Sequence, residues 1–269
     1  FFTILAIPVA LIVIYLQHII DISKPKSKPS CFDKNTIIKT KDGEKKISEI
    51  QPGTILENND EVTAVFKLDS NIDMFNFRNI IISGDHRVIE NGNYIYIREH
   101  PESKPIKDYK ESIIYCINTT SKKIVVNNIT FLDWDDMTEE EHKTVVNAEI
   151  KKNNTNNYDN LNGGFVENTK IKLVDGTNKN IKDIKVGDVY GIVKIKNLPT
   201  KIFKINDKKI CGGPNIQGNE LSLGDFTTLY IDNNNNNYKE ELYHLLTETD
   251  NFYVNNVLFY DYNSCLDKF

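Results

Sequence analysis

Residues 31–56, CFDKNTIIKTKDGEKKISEIQPGTIL, come back at 164–190 as GFVENTKIKLVDGTNKNIKDIKVGDVY. Phe32/Phe165, Asn35/Asn168, Thr36/Thr169, Asp42/Asp175, Gly43/Gly176, Ile50/Ile184 and Gly53/Gly187 coincide. A second pair aligns without a gap: YCINTTSKKIVVNNITFLDWDD at 115–136 and YHLLTETDNFYVNNVLFYDYNS at 243–264. Two matched ends in the same order mean one module present twice, at 31–137 and 163–269. Within each copy Asp-Gly supplies the positive φ of a tight hairpin, and KKISEI reads as a second strand. Asn127-Asn128 and Asn255-Asn256 mark further turns between short β runs, and NYIYIRE alternates apolar and polar side chains. No long segment has helical periodicity, so both copies are expected to be mainly β.

Outward from the repeat, the chain changes character. FFTILAIPVALIVIYL at 1–16, continued by Gln17-His18-Ile19-Ile20, is almost uncharged. Twenty helical residues at ~1.5 Å each span about 30 Å, the thickness of a bilayer's hydrocarbon core. Residues 1–22 are therefore expected to form a transmembrane helix whose partner is the membrane through residues 1–20. Lys24, Lys26 and Lys28 follow, which favours the cytoplasmic, reducing side for everything downstream. Opening on Phe1 inside an apolar run, the sequence is expected to continue upstream. Residues 23–30 (SKPKSKPS) read as an extended linker, because each proline fixes its own φ and disfavours helix before it. Between the copies, 138–162 reads as a linker with a short helix, Thr138 its N-cap and Glu141 three residues on. The run Asn233–Asn237 reads as a loop tip.

Composition excludes several classes. The chain has 269 residues, 39% of them apolar and 26% charged, which supports packed cores and argues against general disorder. A net charge of −5 offers no concentrated positive surface for nucleic acid. Four cysteines without CxxC spacing give neither a zinc ribbon nor a disulfide-built scaffold. His100, His142 and His244 stand without partners at ligand spacing, so no metal and no cofactor is expected. Cys211, in CGGP, reads as a turn residue and Cys265 as a tail residue; Trp134 and the NYIYI aromatics read as core and sheet residues.

Three features of the first copy converge on chemistry. Cys31 opens the module directly after the linker, Ser83-Gly84-Asp85-His86 follows the apolar run NIII, and Cys116 lies in the closing strand region. Cys-Phe with a T-x-I strand, DG, I-x-E-I and a Gly turn resembles the opening motif of the hedgehog/intein, or Hint, family. SGDHRVIENGNYIYI resembles that family's T/S-x-x-H motif, and YCINTTSKKIVVNNITF its penultimate strand pair. The tandem arrangement and closing FLDWDD also resemble Hint-like proteins of large DNA viruses.

The resemblance implies two pseudo-twofold β-horseshoe domains and autocatalytic cleavage. The Cys31 thiol would attack the Ser30 carbonyl carbon, converting the scissile Ser30–Cys31 amide to a thioester. Placing the nucleophile within the same chain supplies on the order of 7–11 kcal/mol. His86, protonating the departing nitrogen, adds about 10²–10⁴-fold. Ser83 would hydrogen-bond a strained peptide, with strain worth ~1–3 kcal/mol. Cys116 or Asp85 would help deprotonate Cys31 or polarise His86, with Cys116 equally readable as a core residue. Splicing members end in His-Asn before Cys, Ser or Thr, whereas this chain has Leu132, Asp133 and Trp134. Splicing is therefore not expected, and Asp133 reads as a surface or hairpin carboxylate. The second copy has Gly164 at the place of Cys31 and Phe226 at that of His86, so it is expected to be inert. The alternative is that both copies are inert Hint-fold scaffold, a membrane-anchored, minor capsid-associated component of a virion that packs against neighbouring proteins.

Overall fold

A computed structural model of the chain describes residues 29–141, 143–144, 163–196, 202–205, 208–212, 227–229 and 241–266, with backbone alone at 202–229 and 265–266. The expected span at 1–22, linker residues 23–28, all of 145–162, His142, Phe226 and Asn233–Asn237 lie outside the described residues. Among the described residues no helix is long and apolar enough to cross a membrane.

The first repeat carries β1 (Phe32–Asp33), β2 (Ile37–Thr40), β3 (Gly43–Lys46), β4 (Val62–Asp69), β5 (Met74–Phe77) and β6 (Ile80–Ser83). It continues through β7 (Arg87–Glu90), β8 (Asn93–Tyr96), β9 (Ser103–Pro105), β10 (Ile113–Thr119), β11 (Lys123–Val126) and β12 (Ile129–Leu132). The second carries β13 (Lys170–Lys172), β14 (Asn178–Asn180), β15 (Gly191–Lys196), β16 (Ile202–Ile205), β17 (Lys208–Gly212) and β18 (Thr227–Leu229). It closes with β19 (Glu241–Leu246), β20 (Asn251–Val254), β21 (Val257–Tyr260) and the helix α1 (Tyr262–Leu266). The described chain is mainly β. Cys211, expected in a turn, lies in β17, where the ladder to β16 holds it extended.

Local chemistry sets the corners. KKISEI is not one strand: Ile47–Glu49 is a 3-10 turn, because the Glu49 carboxylate accepts the Lys46 N–H at 3.2 Å while Ile47 turns into the core. NYIYIRE also breaks into a 3-10 turn at Ile97–Glu99, with Ile97 buried and no carboxylate on the Tyr96 N–H. Tyr94 and Tyr96, expected in the core, are exposed at 36% and 38%, since β8 is the outer strand of the sheet β11-β12-β7-β8. Arg87 lies over both rings, at 6.0 and 5.7 Å. At the other hairpins Asn127 and Asn128 adopt φ of 51° and 63°, and Asn255 and Asn256 48° and 64°. Paired left-handed residues give a type I′ turn whose twist matches the strands, and asparagine tolerates that region best after glycine.

The first repeat is itself built from two similar halves. Ile47 N–H bonds the Thr36 carbonyl at 2.8 Å, and Ile97 N–H bonds the His86 carbonyl at 2.9 Å, each just after a hairpin. Where the halves meet, β1 pairs antiparallel with β6, Phe32 opposite Ile82. Antiparallel pairing of matching positions is what a local twofold axis produces, and it sets Cys31 at the end of β1 against Ser83 and His86 at the end of β6.

The two repeats meet edge to edge. β4 pairs antiparallel with β15, Phe66 opposite Val193, in the eight-stranded order β19-β15-β4-β10-β1-β6-β5-β9. At this seam Phe66 stacks on Trp134 of its own repeat at 4.5 Å and meets the Tyr262 ring of the second repeat edge-on at 5.2 Å. Trp134 Nε1 donates to Asn263 Oδ1 at 3.2 Å and Lys196 pairs with Glu61. Edge-on aromatic contacts then repeat inside the copies: Phe32–Phe131 at 5.4 Å and 88°, Phe165–Phe259 at 5.1 Å and 87°.

Candidate functional site

β1 begins one residue after Cys31, and β6 ends at Ser83, so the sheet fixes how these residues face each other. Ser83 N–H bonds the Cys31 carbonyl at 2.8 Å, ending the ladder. The next turn folds tightly, His86 N–H reaching the Ser83 carbonyl at 3.3 Å. Gly84 makes that path possible: a Cβ there would lie 2.5 Å from Phe75 Cε2. The chain therefore presents the Ser83 hydroxyl and the His86 ring towards β1.

The Ser83 hydroxyl bridges the two ends of residue 30. Cys31 N–H donates to Ser83 Oγ at 2.8 Å, and Ser83 Oγ donates to the Pro29 carbonyl at 3.0 Å. Ser30 sits between, buried, its hydroxyl donating to the Asp85 carbonyl at 3.4 Å. One serine thus holds the peptide groups on both sides of Ser30, the Pro29 carbonyl before it and the N–H of the Ser30–Cys31 linkage after it. The strain expected there has no counterpart in φ: no residue from 29 to 35 is left-handed.

His86 is fully buried, its ring packed on Phe32 at 4.6 Å and edge-on to Phe131 at 5.7 Å. Nε2 lies 2.8 Å from the Leu132 carbonyl. A carbonyl can only accept, so Nε2 carries the proton and Nδ1 presents its lone pair. Nδ1 has no hydrogen-bond partner within the described structure. Burial lowers the imidazole to about 4, opposed by the Leu132 carbonyl and the backbone of Cys31. The resting ring is therefore neutral. In this tautomer Nδ1 must gain a proton before it can give one.

The remaining candidates divide. Cys116 is buried on β10 beside Cys31, and burial raises both thiols well above their ordinary value. The Asp85 carboxylate is taken up by Arg98, and only its backbone carbonyl reaches the site. Asp133 is not a surface carboxylate; it is fully buried, accepting the Thr119 and Asp135 N–H groups at 3.0 and 3.1 Å. Desolvation raises its pKa and Lys122 opposes the rise. The matching Asp261 accepts Thr247 and Ser264 N–H at 2.9 and 3.0 Å. A carboxylate that does the same work in both copies is a clamp on the last hairpin.

The second repeat lacks the nucleophile, and the structure resists its return. An added Cβ at Gly164 would lie 3.0 Å from both Leu242 Cβ and the Tyr243 carbonyl. His244 occupies the position of Cys116, buried and lowered to about 4 by desolvation, edge-on to Phe165 at 5.5 Å. Sequence reasoning passed over two participants, the Pro29 and Leu132 carbonyls, because backbone groups leave no residue-type signal. Among the described residues no cluster of three or more metal-ligating side chains exists.

Compared with known proteins, the chain matches no family model and no curated protein. It is similar to crystal structures of inteins. A triple variant of the gp41-1 intein aligns at 22% identity and TM-score 0.32, over 39% of this chain and 99% of that one. The gp41-1 intein itself aligns at 17% and 0.27, over 39% and 100%. A DnaB intein from Synechocystis sp. PCC 6803 aligns at 8% and 0.25, over 39% and 98%. Scores this low carry no argument, and the functional reading rests on the side-chain geometry around Ser30–Cys31.

Proposed function

We propose that the first repeat is a Hint-type self-processing module that cleaves before Cys31 and does not splice. The observation that carries the reading is the Ser83 hydroxyl joined to both Cys31 N–H and the Pro29 carbonyl. A hydroxyl placed there positions the Ser30 carbonyl carbon beside a neighbouring thiol in a water-poor site, which is the proximity contribution a self-acylation needs.

In this reading Cys31 Sγ attacks the Ser30 carbonyl carbon and its proton passes to Nδ1 of His86. The tetrahedral intermediate collapses by breaking the carbon–nitrogen bond, and Nδ1 returns the same proton to the departing Cys31 nitrogen. One ring atom accepts and donates, while Nε2–H stays on the Leu132 carbonyl and fixes the tautomer. The product is a thioester between Ser30 and Cys31, with a free amine on Cys31. A cleft of about 510 Å³ lined by Pro29, Trp134, Tyr190 and Asp261 adjoins the chain one residue before Ser30. Nothing at the module's end supports splicing: Asp133 has no side-chain amide to cyclise, and Trp134 no acyl-accepting atom. With residues 1–22 as a membrane anchor, cleavage frees the β repeats on the cytoplasmic side.

A second reading is favoured by one observation, that thiol and imidazole are both desolvated into their neutral forms. Here both repeats are inert scaffold within an assembly such as a virion. A thiol test separates the two. Incubation of the purified chain with excess dithiothreitol should split it at Ser30–Cys31, and Cys31→Ala should stay whole. A wild-type chain that stays whole selects the scaffold.

A further inference from the structure

The cleft that adjoins Pro29 takes its lining from both repeats. Asp73 and Trp134 belong to the first; Tyr190, the turn between β19 and β20 and the start of α1 belong to the second. The seam brings them together. Where β4 pairs with β15, Asp69 N–H bonds the Tyr190 carbonyl at 3.1 Å, which sets the turn after β4 beside the second repeat. Part of the lining is apolar, with Ile72, Trp134 and Leu246, and the charge is of one sign. Asp73, Glu248, Asp250 and Asp261 line the cleft, and among the described residues no lysine, arginine or histidine does. Immediately before Pro29 the sequence reads Ser23-Lys24-Pro25-Lys26-Ser27-Lys28. Covalent geometry keeps the Lys28 Cα about 3.8 Å from that of Pro29, and the Lys26 Cα within about 11 Å. Pro25 and Pro29 disfavour helix at the lysine before each, and in an extended run positions 24, 26 and 28 fall on one side. Three cations at alternate positions are thus tethered to the rim of a cleft that carries four carboxylates.

We propose that this cleft docks the chain's own basic stretch, residues 24–28, and that the second repeat is thereby the holding surface for the segment upstream of Ser30–Cys31. The lysine ammonium groups meet the carboxylates, and their alkyl stems lie along Trp134 and Leu246, the arrangement an amphipathic side chain favours. Ser83 then fixes the peptide groups flanking Ser30 while the cleft fixes the chain that leads into them. Two points of attachment hold the Ser30 carbonyl carbon against the neighbouring thiol better than one. The copy that has Gly164 in place of Cys31 keeps a task that needs no nucleophile, because Glu248, Asp250 and Asp261 are all its own. The effect on cleavage rests on the self-processing reading; the docking itself does not.

The test is carbodiimide coupling of the full chain at low salt, followed by digestion and peptide mapping by mass. The reagent joins an amine to a carboxylate only where the two touch, with loss of one water. A link from Lys26 or Lys28 to Glu248 or Asp250 is expected, and it should weaken several-fold at about 1 M salt, where screening is nearly complete. Lysines 24, 26 and 28 left unlinked, or linked to the first repeat alone, would overturn the docking. Glu248→Lys should slow thiol-induced cleavage by about 3–10-fold with Tm kept, and Lys28→Glu in the same chain should restore most of the rate. An unchanged rate in Glu248→Lys would overturn the effect on cleavage. A chain that links as expected yet never cleaves leaves the docking standing and removes the self-processing reading.

Discussion

Ser83 holds the peptide groups flanking Ser30, whereas His86 moves the proton in the proposed reaction, and their substitutions should fail differently. Ser83→Ala removes the bridge and leaves the buried Cys31 N–H unpaired, so thiol-induced cleavage should slow by up to about 10²-fold and stability should fall by about 1–3 kcal/mol. His86→Ala should slow it by about 10²–10⁴-fold. Equal rates in wild type and both variants would remove the site. The pH dependence has a defined sign. His86 and His244 sit near 4 in the fold against an ordinary value of 6.5, so the unfolded chain binds more protons between these values. Their contribution is complete above about pH 6.5 and is lost as pH falls towards 4, on the order of 3 kcal/mol for each. Tm measured across that window should fall less steeply in His86→Gln than in wild type; parallel curves contradict a buried neutral ring. At this scale the sequence was legible where a side chain does the work. Cys31, Ser83 and His86 could be named because thiol, hydroxyl and imidazole at a module's start and after an apolar strand are distinctive. The Arg98 partner of Asp85 and the burial of Asp133 depend on how distant strands pack, which residue type does not encode.

Between strands, the repeated hairpin clamp separates scaffold from chemistry. Asp133 and Asp261 each hold two backbone N–H groups, and removing either acceptor leaves buried donors unpaired. Asp133→Asn should lower Tm yet leave cleavage within a few-fold of wild type, whereas Asp261→Ala should cost about 1–3 kcal/mol in denaturant unfolding. Loss of cleavage in Asp133→Asn without loss of stability would make this carboxylate a participant. Gly164→Cys should destabilise by about 1–3 kcal/mol through overpacking and confer no cleavage at Gly163–Gly164. The hairpins were readable because Asn-Asn and Asp-Gly declare their own backbone geometry. The 3-10 turns of the first repeat were not, because ISE and IRE carry strand-like composition and bend only when Ile47 and Ile97 find the core.

Taken whole, the molecule joins its repeats through β4 and β15 and an aromatic seam of Phe66, Trp134 and Tyr262. β4 alone would be an unpaired edge with alternating buried side chains, a template for another chain. A protein ending at residue 137 should therefore self-associate in size-exclusion chromatography with light scattering, while the full chain should not do so through this edge. A monomeric, equally stable first repeat would show the seam to be dispensable. The repeat and its order were plain in the sequence, since two matched ends need no packing to be seen. Side-by-side pairing of β4 and β15 was not, because each strand reads alike whether its neighbour comes from its own copy or the other. The central claim is that an acyl group moves from the Cys31 nitrogen to its sulfur. Its most direct measurement is the intact mass of fragments after neutral hydroxylamine, in wild type and Cys31→Ala. The account predicts an upstream fragment ending in a Ser30 hydroxamate and a downstream one beginning at Cys31, in wild type alone. A whole wild-type chain, or the same fragments from Cys31→Ala, would contradict it.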